Sequence, residues 1–254
     1  MNKATATRRE IFAWAMYDFA NSGYTTVVLT AVFNAYFVSV VAGSGPDRDG
    51  SATLLWTIAT AVSNLLVIVS APVLGAIADR GAYKKRFLLV STAGCVIFTA
   101  LLALVGPGDI ALGMTLVILS AFMFSTSEDL IAGFLPEIAA PKDMGRISAY
   151  GWSLGYLGGM LVLGMCLAYI AWAAARGLPA SHYVPVSMLI TAAMFALAAL
   201  PTFLWLRERA VPRRLPRAKD YLRAGFARVR ETLQHARHYR DLFRFLVTLS
   251  TYYC

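Results

Sequence analysis

The chain has 254 residues, 58% of them hydrophobic and only 15% charged, and a mean hydropathy of +0.61, whereas soluble domains run at roughly half apolar and a quarter charged. That balance excludes a water-soluble single domain and a disordered chain. Cys95, Cys166 and Cys254 are too few and too widely spaced for a disulfide scaffold, which leaves the membrane proteins.

In chain order, apolar runs of about 20 residues, enough to cross roughly 30 Å of hydrocarbon as a helix, recur near 12–41, 54–78, 87–105, 110–134, 148–174 and 184–206. The first is too long for a secretory signal and no small-residue cleavage pattern follows it, so it reads as a retained helix. Within it Asp18 lies about 10 Å from the start and Asn21 about 15 Å, near the midplane, at about 1.5 Å per residue. Asp18, Asn21 and Thr25 share one helix face by spacing, as do Tyr17, Asn21 and Tyr24. An ionised carboxylate at that depth costs about 2.5–3.5 kcal/mol on insertion scales, so Asp18 must face a wet cavity, pair with a cation or be protonated. It can carry a proton, contact a substrate amine, or tie the helix to a neighbour by hydrogen bonding.

The second run contains Pro72, a candidate kink, and leads into a basic loop with Gly75, Asp79, Arg80, Lys84 and Lys85. Gly75 lets a helix approach closely, Asp79 at a helix end can accept bonds from amides or an arginine, and the cations sit at headgroup level. In the fourth run Glu128 and Asp129 lie about 27 Å from Ile110 along the helix, near the opposite mouth. Adjacent carboxylates point about 100° apart on a helix and do not share a proton. One of them pairing with Arg146 or Arg80 as a gate is the favoured expectation over proton transfer. In the fifth run Gly151, Gly155 and Gly159 recur every fourth residue with Gly158 beside them, an edge of nearly bare backbone suited to tight helix packing. Pro201 near the end of the sixth is a further candidate kink.

Basic residues accumulate on the cytoplasmic side of membranes. With the amino terminus inside, 21 of the 23 Lys and Arg residues fall inside and only Arg48 and Arg176 outside. Residues 207–254 hold 12 basic against 4 acidic side chains. There Leu222, Phe226, Val229, Leu233 and Ala236 form one apolar stripe with Arg223, Arg230 and Arg237 beside it, as in an amphipathic helix on the cytoplasmic face. No base-stacking platform accompanies these arginines, so nucleic acid is not expected as a partner. The chain turns apolar again at Phe243, Phe245, Leu246, Val247 and Leu249, which reads as the start of a seventh span.

The loop Gly75-x-x-x-Asp79-Arg80-x-Ala82-x-Lys84-Lys85 resembles the signature between the second and third helices of the major facilitator superfamily, with Ala82 where a second glycine usually stands. Trp14-Ala-x-Tyr17-Asp18-Phe-Ala20-Asn21-Ser22-x-Tyr24 resembles the opening of the branch typified by fungal vacuolar, autophagy-related amino-acid effluxers and their bacterial relatives. Leu135-Pro136-Glu137-Ile138-Ala139, Gly145-Arg146-Ile147-Ser148 and Gly151-Trp152-x-x-Gly155-Tyr156-x-Gly158-Gly159 resemble the fourth loop and fifth helix of that branch. The resemblance implies an all-α integral membrane protein: six transmembrane helices forming the N-terminal half of a twelve-helix major facilitator fold, plus a cytoplasmic linker helix. The expected organisation is a six-helix bundle over 1–206, a basic linker over 207–241 and a truncated seventh span over 242–254.

The function so implied is a secondary active transporter moving a small solute, with amino acids as candidates, by alternating access with ion or proton coupling. Tyr17, Asp18, Asn21, Tyr24 and Thr25 are its expected substrate or proton pathway. The expected cytoplasmic gate combines Gly75, Asp79, Arg80, Lys84, Lys85, Glu128, Asp129 and Arg146. The partners are the lipid bilayer, a small-molecule substrate and the missing C-terminal half, with no cofactor and no metal. An intramembrane enzyme is the alternative, but His182, His235 and His238 fall outside the spans, and neither a Gly-x-Ser-x-Gly elbow nor a paired His and acid motif is present. A six-helix channel or scaffold complete as given is opposed by the fragmentary seventh span. The 18 Arg against 5 Lys and abundant Ala suit a GC-rich bacterial genome, hence a bacterial cytoplasmic membrane.

Overall fold

A computed structural model describes residues 6–43, 50–81, 83–209 and, further on, 244, 245, 247, 248 and 251, without the side chains of Ala76, Asp79 and Arg80. Among the described residues every regular element is helical. Helix α1 (Arg8–Tyr24) continues through a π-helical stretch (Thr25–Ala31), a short α2 (Phe33–Tyr36) and a second π-helical stretch (Phe37–Val41). There follow α3 (Ser51–Gly81), α4 (Lys84–Leu101) with a closing 3₁₀ turn (Leu102–Leu104), α5 (Ile110–Ala132), α6 (Leu135–Ile138), α7 (Met144–Ala174) and α8 (Ala180–Trp205).

Among the described residues six stretches are long and apolar enough to cross a membrane: Arg8–Val41, Ser51–Gly75, Lys84–Leu104, Ile110–Ile138, Met144–Ala174 and Ala180–Trp205. They are the six the hydropathy predicts. Most begin a few residues earlier, because first turns hold polar side chains such as Arg8, Arg9, Lys84, Lys85 and Arg146 that an apolar run leaves out. The protein is an all-α membrane protein, and six spans are the number expected of half a major facilitator fold.

The chain divides into two compact units, one of residues 1–67 and 84–209, the other of residues 68–83 and 210–254. The second holds Pro72 and Gly75, and within it no atom comes near the place a Cβ on Gly75 would occupy. The expected amphipathic helix of 207–241 lies, from residue 210 on, outside the described residues, as do Ala82 and most of 242–254.

Within the first unit α1 is the hub, packed along α7 and α8, while α4 packs against α5 and α8. Its aromatic side chains carry both apolar bulk and polar handles. Tyr17, Tyr24, Phe33 and Phe37 are fully buried, and Trp14 Nε1 donates to the Ile131 carbonyl at 2.9 Å. The Tyr17 hydroxyl meets Thr92 Oγ1 at 2.5 Å, the Tyr24 hydroxyl meets Ser120 Oγ at 2.9 Å, and Tyr36 donates to the Val105 carbonyl at 3.1 Å. From α8, Thr202 Oγ1 donates to the Ala13 carbonyl at 2.7 Å. Helix association in lipid lacks a hydrophobic driving force, so such bonds and close packing hold the bundle, each bond contributing about 0.6 kcal/mol. We therefore expect Tyr17→Phe and Tyr24→Phe each to lower thermal stability by roughly that amount. A fall several times larger would show that these hydroxyls do more than hold the bundle together.

The sequence suggests one regular helix for the first span; the structure shows it widened twice. Val32 N–H bonds the Val27 carbonyl at 2.9 Å and Ala42 N–H bonds the Phe37 carbonyl at 2.8 Å, each five residues back. The cause is local. Thr25 Oγ1 donates to the Asn21 carbonyl at 3.1 Å, Thr26 Oγ1 to the Ser22 carbonyl at 2.7 Å and Thr30 Oγ1 to the Thr25 carbonyl at 3.0 Å. Threonine hydroxyls thus compete for the carbonyls of the ladder and ease its widening, a deformation lipid tolerates only where the freed groups find such partners. At the far end of α7 the turn is a Schellman motif: Gly177 takes φ of +76°, and Leu178 N–H bonds the Ala173 carbonyl at 3.1 Å, a geometry that favours glycine.

Candidate functional site

A pocket of about 450 Å³ opens between the first, fourth and fifth spans. From α1 it takes Asp18, Asn21 and Ser22; from the π-helical stretch, Thr25 and Thr26; from α5, Glu128. Helix α7 supplies the opposite wall with Trp152, Gly155, Tyr156 and Gly159. The helical spacing of Asp18, Asn21 and Thr25 therefore does bring them to one cavity, and it brings Glu128 to the same place.

Tyr17 and Tyr24 do not reach it. They point the other way, with their rings against Phe195 and, for Tyr24, stacked on Phe124 at 4.7 Å. They belong to the core: the Tyr17 hydroxyl meets Thr92 of α4, the Tyr24 hydroxyl meets Ser120 of α5, and Phe195 of α8 packs on both rings. Asp129 is exposed and lines no part of the pocket.

The glycine edge of α7 makes this geometry. A Cβ on Gly151 would collide with Asp18 Oδ2, and one on Gly158 with the Phe19 carbonyl oxygen. A Cβ on Gly155 would stand 2.8 Å from Ser22 Oγ, and one on Gly159 would stand 3.1 Å from Thr26 Oγ1. The four glycines let α7 lie on the backbone of α1 while Gly155 and Gly159 also face the cavity. Asn21 is 5% exposed, and neither end of its side-chain amide has a hydrogen-bond partner among the described residues. A buried amide left so costs about 1–3 kcal/mol. Among the described residues none that lines the pocket is Lys or Arg.

A second polar assembly gathers the helix ends on the side of the amino terminus. Thr7 and Glu10 form a capping box at the start of α1, which leaves Glu10 turned inward at 4% exposure. Arg209 Nη2 donates to both Glu10 oxygens at 2.9 and 3.0 Å, and Arg209 N–H donates to Glu137 Oε2 at 2.9 Å. Glu137 Oε1 pairs with Lys84 Nζ at 2.9 Å. Glu208 accepts the N–H groups of Lys84 at 2.8 Å and Lys85 at 3.3 Å, capping α4, while Lys85 Nζ donates to the Leu206 carbonyl at 2.6 Å. An anion on a helix amino terminus and buried charges hydrogen-bonded to opposite ones are arrangements in which ion pairs hold structure, although Arg209 Nη1 has no partner among the described residues.

Of the expected gate, Lys84 and Lys85 stand in this network, Lys84 on Glu137 and both backbone N–H groups on Glu208. Arg146 pairs with its own-turn neighbour Asp143 at 3.3 Å, at the surface, and not with Glu128 or Asp129; those two carboxylates have no ion pair among the described residues. The side chains of Asp79 and Arg80 lie outside the described residues. Sequence reasoning missed Glu10, Glu208 and Arg209, although Thr7-x-x-Glu10 is a legible capping box. It also passed over Ser22 and Thr26, which differ from the surrounding small residues only by a hydroxyl.

The family model described as "Vacuole effluxer Atg22 like" matches residues 6–250. The chain belongs to this family of Atg22-like effluxers, within the major facilitator superfamily. A curated relative, the "Uncharacterized MFS-type transporter YxiO" of Bacillus subtilis (strain 168), is 32% identical over 243 residues, covering 94% of this chain and 56% of the relative. The chain thus spans about half the length of the relative it matches. No solved structure matches it. The pocket and the charged rim are consequently features of an Atg22-like chain.

Proposed function

We propose that the chain is one lobe of an ion-coupled secondary transporter that carries a small amine-bearing solute, such as an amino acid, by alternating access. A C-terminal half supplies the facing wall, and no catalytic step or cofactor enters the cycle. The observation that carries this reading is the pocket: two carboxylates, Asp18 and Glu128, and the amide of Asn21, unpartnered among the described residues, face a cavity to which no described Lys or Arg contributes. An ammonium group between the carboxylates offsets their charge, and a donor and acceptor presented to Asn21 recover what its burial costs. The rings of Trp152 and Tyr156 offer faces to the same cation. Protonation of Asp18 or Glu128 in exchange for the ammonium couples the solute to a proton gradient.

The rim of Glu10, Lys84, Glu137, Glu208 and Arg209 fixes four helix ends as one rigid piece, as a rocking lobe requires. The distribution of basic residues supports a cytoplasmic position for this rim and the amino terminus, in a membrane we take to be the bacterial cytoplasmic one. The test is uptake and efflux of labelled amino acids in proteoliposomes of the full-length protein, with and without an imposed pH gradient. Gradient-dependent accumulation of a cationic or zwitterionic amine supports the reading. Transport confined to anions, or a flux indifferent to every gradient, overturns it.

A further inference from the structure

The first turn of α1 and the end of α8 enclose a second pocket, of about 610 Å³, whose charged lining is Arg8, Arg9, Arg207, Arg209 and Glu10. Four guanidinium groups against one carboxylate leave a fixed excess of positive charge. Glu10 neutralises only part of it: it holds Arg209 Nη2, while Arg209 Nη1 is buried without a partner among the described residues. Arg8, Arg9 and Arg207 are exposed and have no ion pair among the described residues. Converging arginines of this kind match the oxygens of a phosphate, which they can grip by two bonds at a time.

What leads away from the arginines is apolar. Leu197, Leu200 and Leu204 lie on one face of α8 and are 60%, 50% and 71% exposed, a stripe running from the pocket toward the middle of the sixth span. Phe12 and Trp205 flank its charged end, with ring centroids 6.4 Å apart. Exposed leucines alone are ordinary on a membrane helix, and arginines alone suit any anion. A concavity of positive charge continuous with an apolar stripe about 10 Å long, at about 1.5 Å per residue from Leu204 to Leu197, fits one class of ligand. We infer that this corner is a binding site for an anionic phospholipid, its phosphate between Arg8, Arg9 and Arg207 and one acyl chain along Leu204 and Leu200. The site is separate from the solute pocket, so it stands whether or not the transport reading does. Its consequence is mechanical: a lipid there bridges the start of the first span to the end of the sixth, next to the Glu10 to Arg209 pair.

The test uses the full-length protein purified in mild detergent and mixed with dioleoylphosphatidylglycerol or dioleoylphosphatidylcholine, with bound lipid read by native mass spectrometry. We expect preferential retention of the glycerol lipid, falling about fivefold for each of Arg8→Gln, Arg9→Gln and Arg207→Gln. Arg176→Gln, at the opposite end of the bundle, should change nothing. Leu204→Gln should weaken phosphatidylglycerol while leaving any binding of inorganic phosphate untouched. Equal retention of the two lipids, or undiminished phosphatidylglycerol on the folded triple variant or on Arg207→Gln alone, overturns the proposal. Displacement by millimolar inorganic phosphate with no effect of Leu204→Gln also overturns it, in favour of a soluble phosphate.

Discussion

Asp18→Asn abolishes gradient-driven accumulation, to the level of protein-free liposomes, while the protein inserts and folds as before. The expectation rests on where the carboxyl sits. Asp18 is half-buried at the foot of the pocket, pressed against the Gly151 edge of α7, with no cation beside it among the described residues. A carboxylate so placed costs about 2.5–3.5 kcal/mol on insertion scales, so an isosteric amide relieves the bundle. Thermal stability should be unchanged or higher, which separates this outcome from simple unfolding. What the amide cannot do is release a proton or balance an ammonium. Exchange of substrate against substrate, which needs no net proton movement, should survive if Asp18 is the proton carrier and vanish if it holds the substrate amine. Unchanged accumulation down a pH gradient would remove Asp18 from the mechanism and leave Glu128 as the carboxylate to examine.

The fold was legible because the bilayer imposes a length and a polarity on each span, and the six apolar runs record both. Glycine spacing at 151, 155 and 159 likewise has few physical uses in a membrane helix. The site was legible in part. Asp18 and Asn21 stand out because polar groups are expensive in hydrocarbon, and a spacing of three keeps them on one face whatever follows. Tyr17 and Tyr24 were misleading because an amphipathic ring serves a pocket and a core equally well; which way each turned depends on α4, α5 and α8, and no local pattern states it. The rim was least legible. Glu137 and Glu208 act on Lys84 from positions far along the chain, and only the meeting of helix ends brings those charges together. The π-helical widening after Tyr24 also escapes periodicity, since it comes from threonine hydroxyls competing for carbonyls within an unbroken apolar run.

The glycine edge of α7 allows packing and function to be separated at two positions on one helix. At Gly158 the obstacle to a methyl group is the Phe19 carbonyl oxygen, a backbone atom that cannot turn aside. Gly158→Ala must push α1 and α7 apart, and since overpacking of a closely fitted site costs about 1–3 kcal/mol, we expect a fall in melting temperature of several degrees with transport lost in proportion to folded protein. At Gly151 the first obstacle is Asp18 Oδ2 and the second is Trp14, 3.0 Å away, so relief comes from rotating one carboxyl group out of its place. Gly151→Ala should therefore lower stability less than Gly158→Ala and damage transport more, with a shifted pH dependence of the remaining flux. The double variant Gly151→Ala/Asp18→Asn should transport no worse than Asp18→Asn alone, because the two changes act through the same carboxyl. Additive losses, or a Gly151→Ala protein that transports normally, would show that the position of the Asp18 carboxyl is set by something other than the bare backbone of α7.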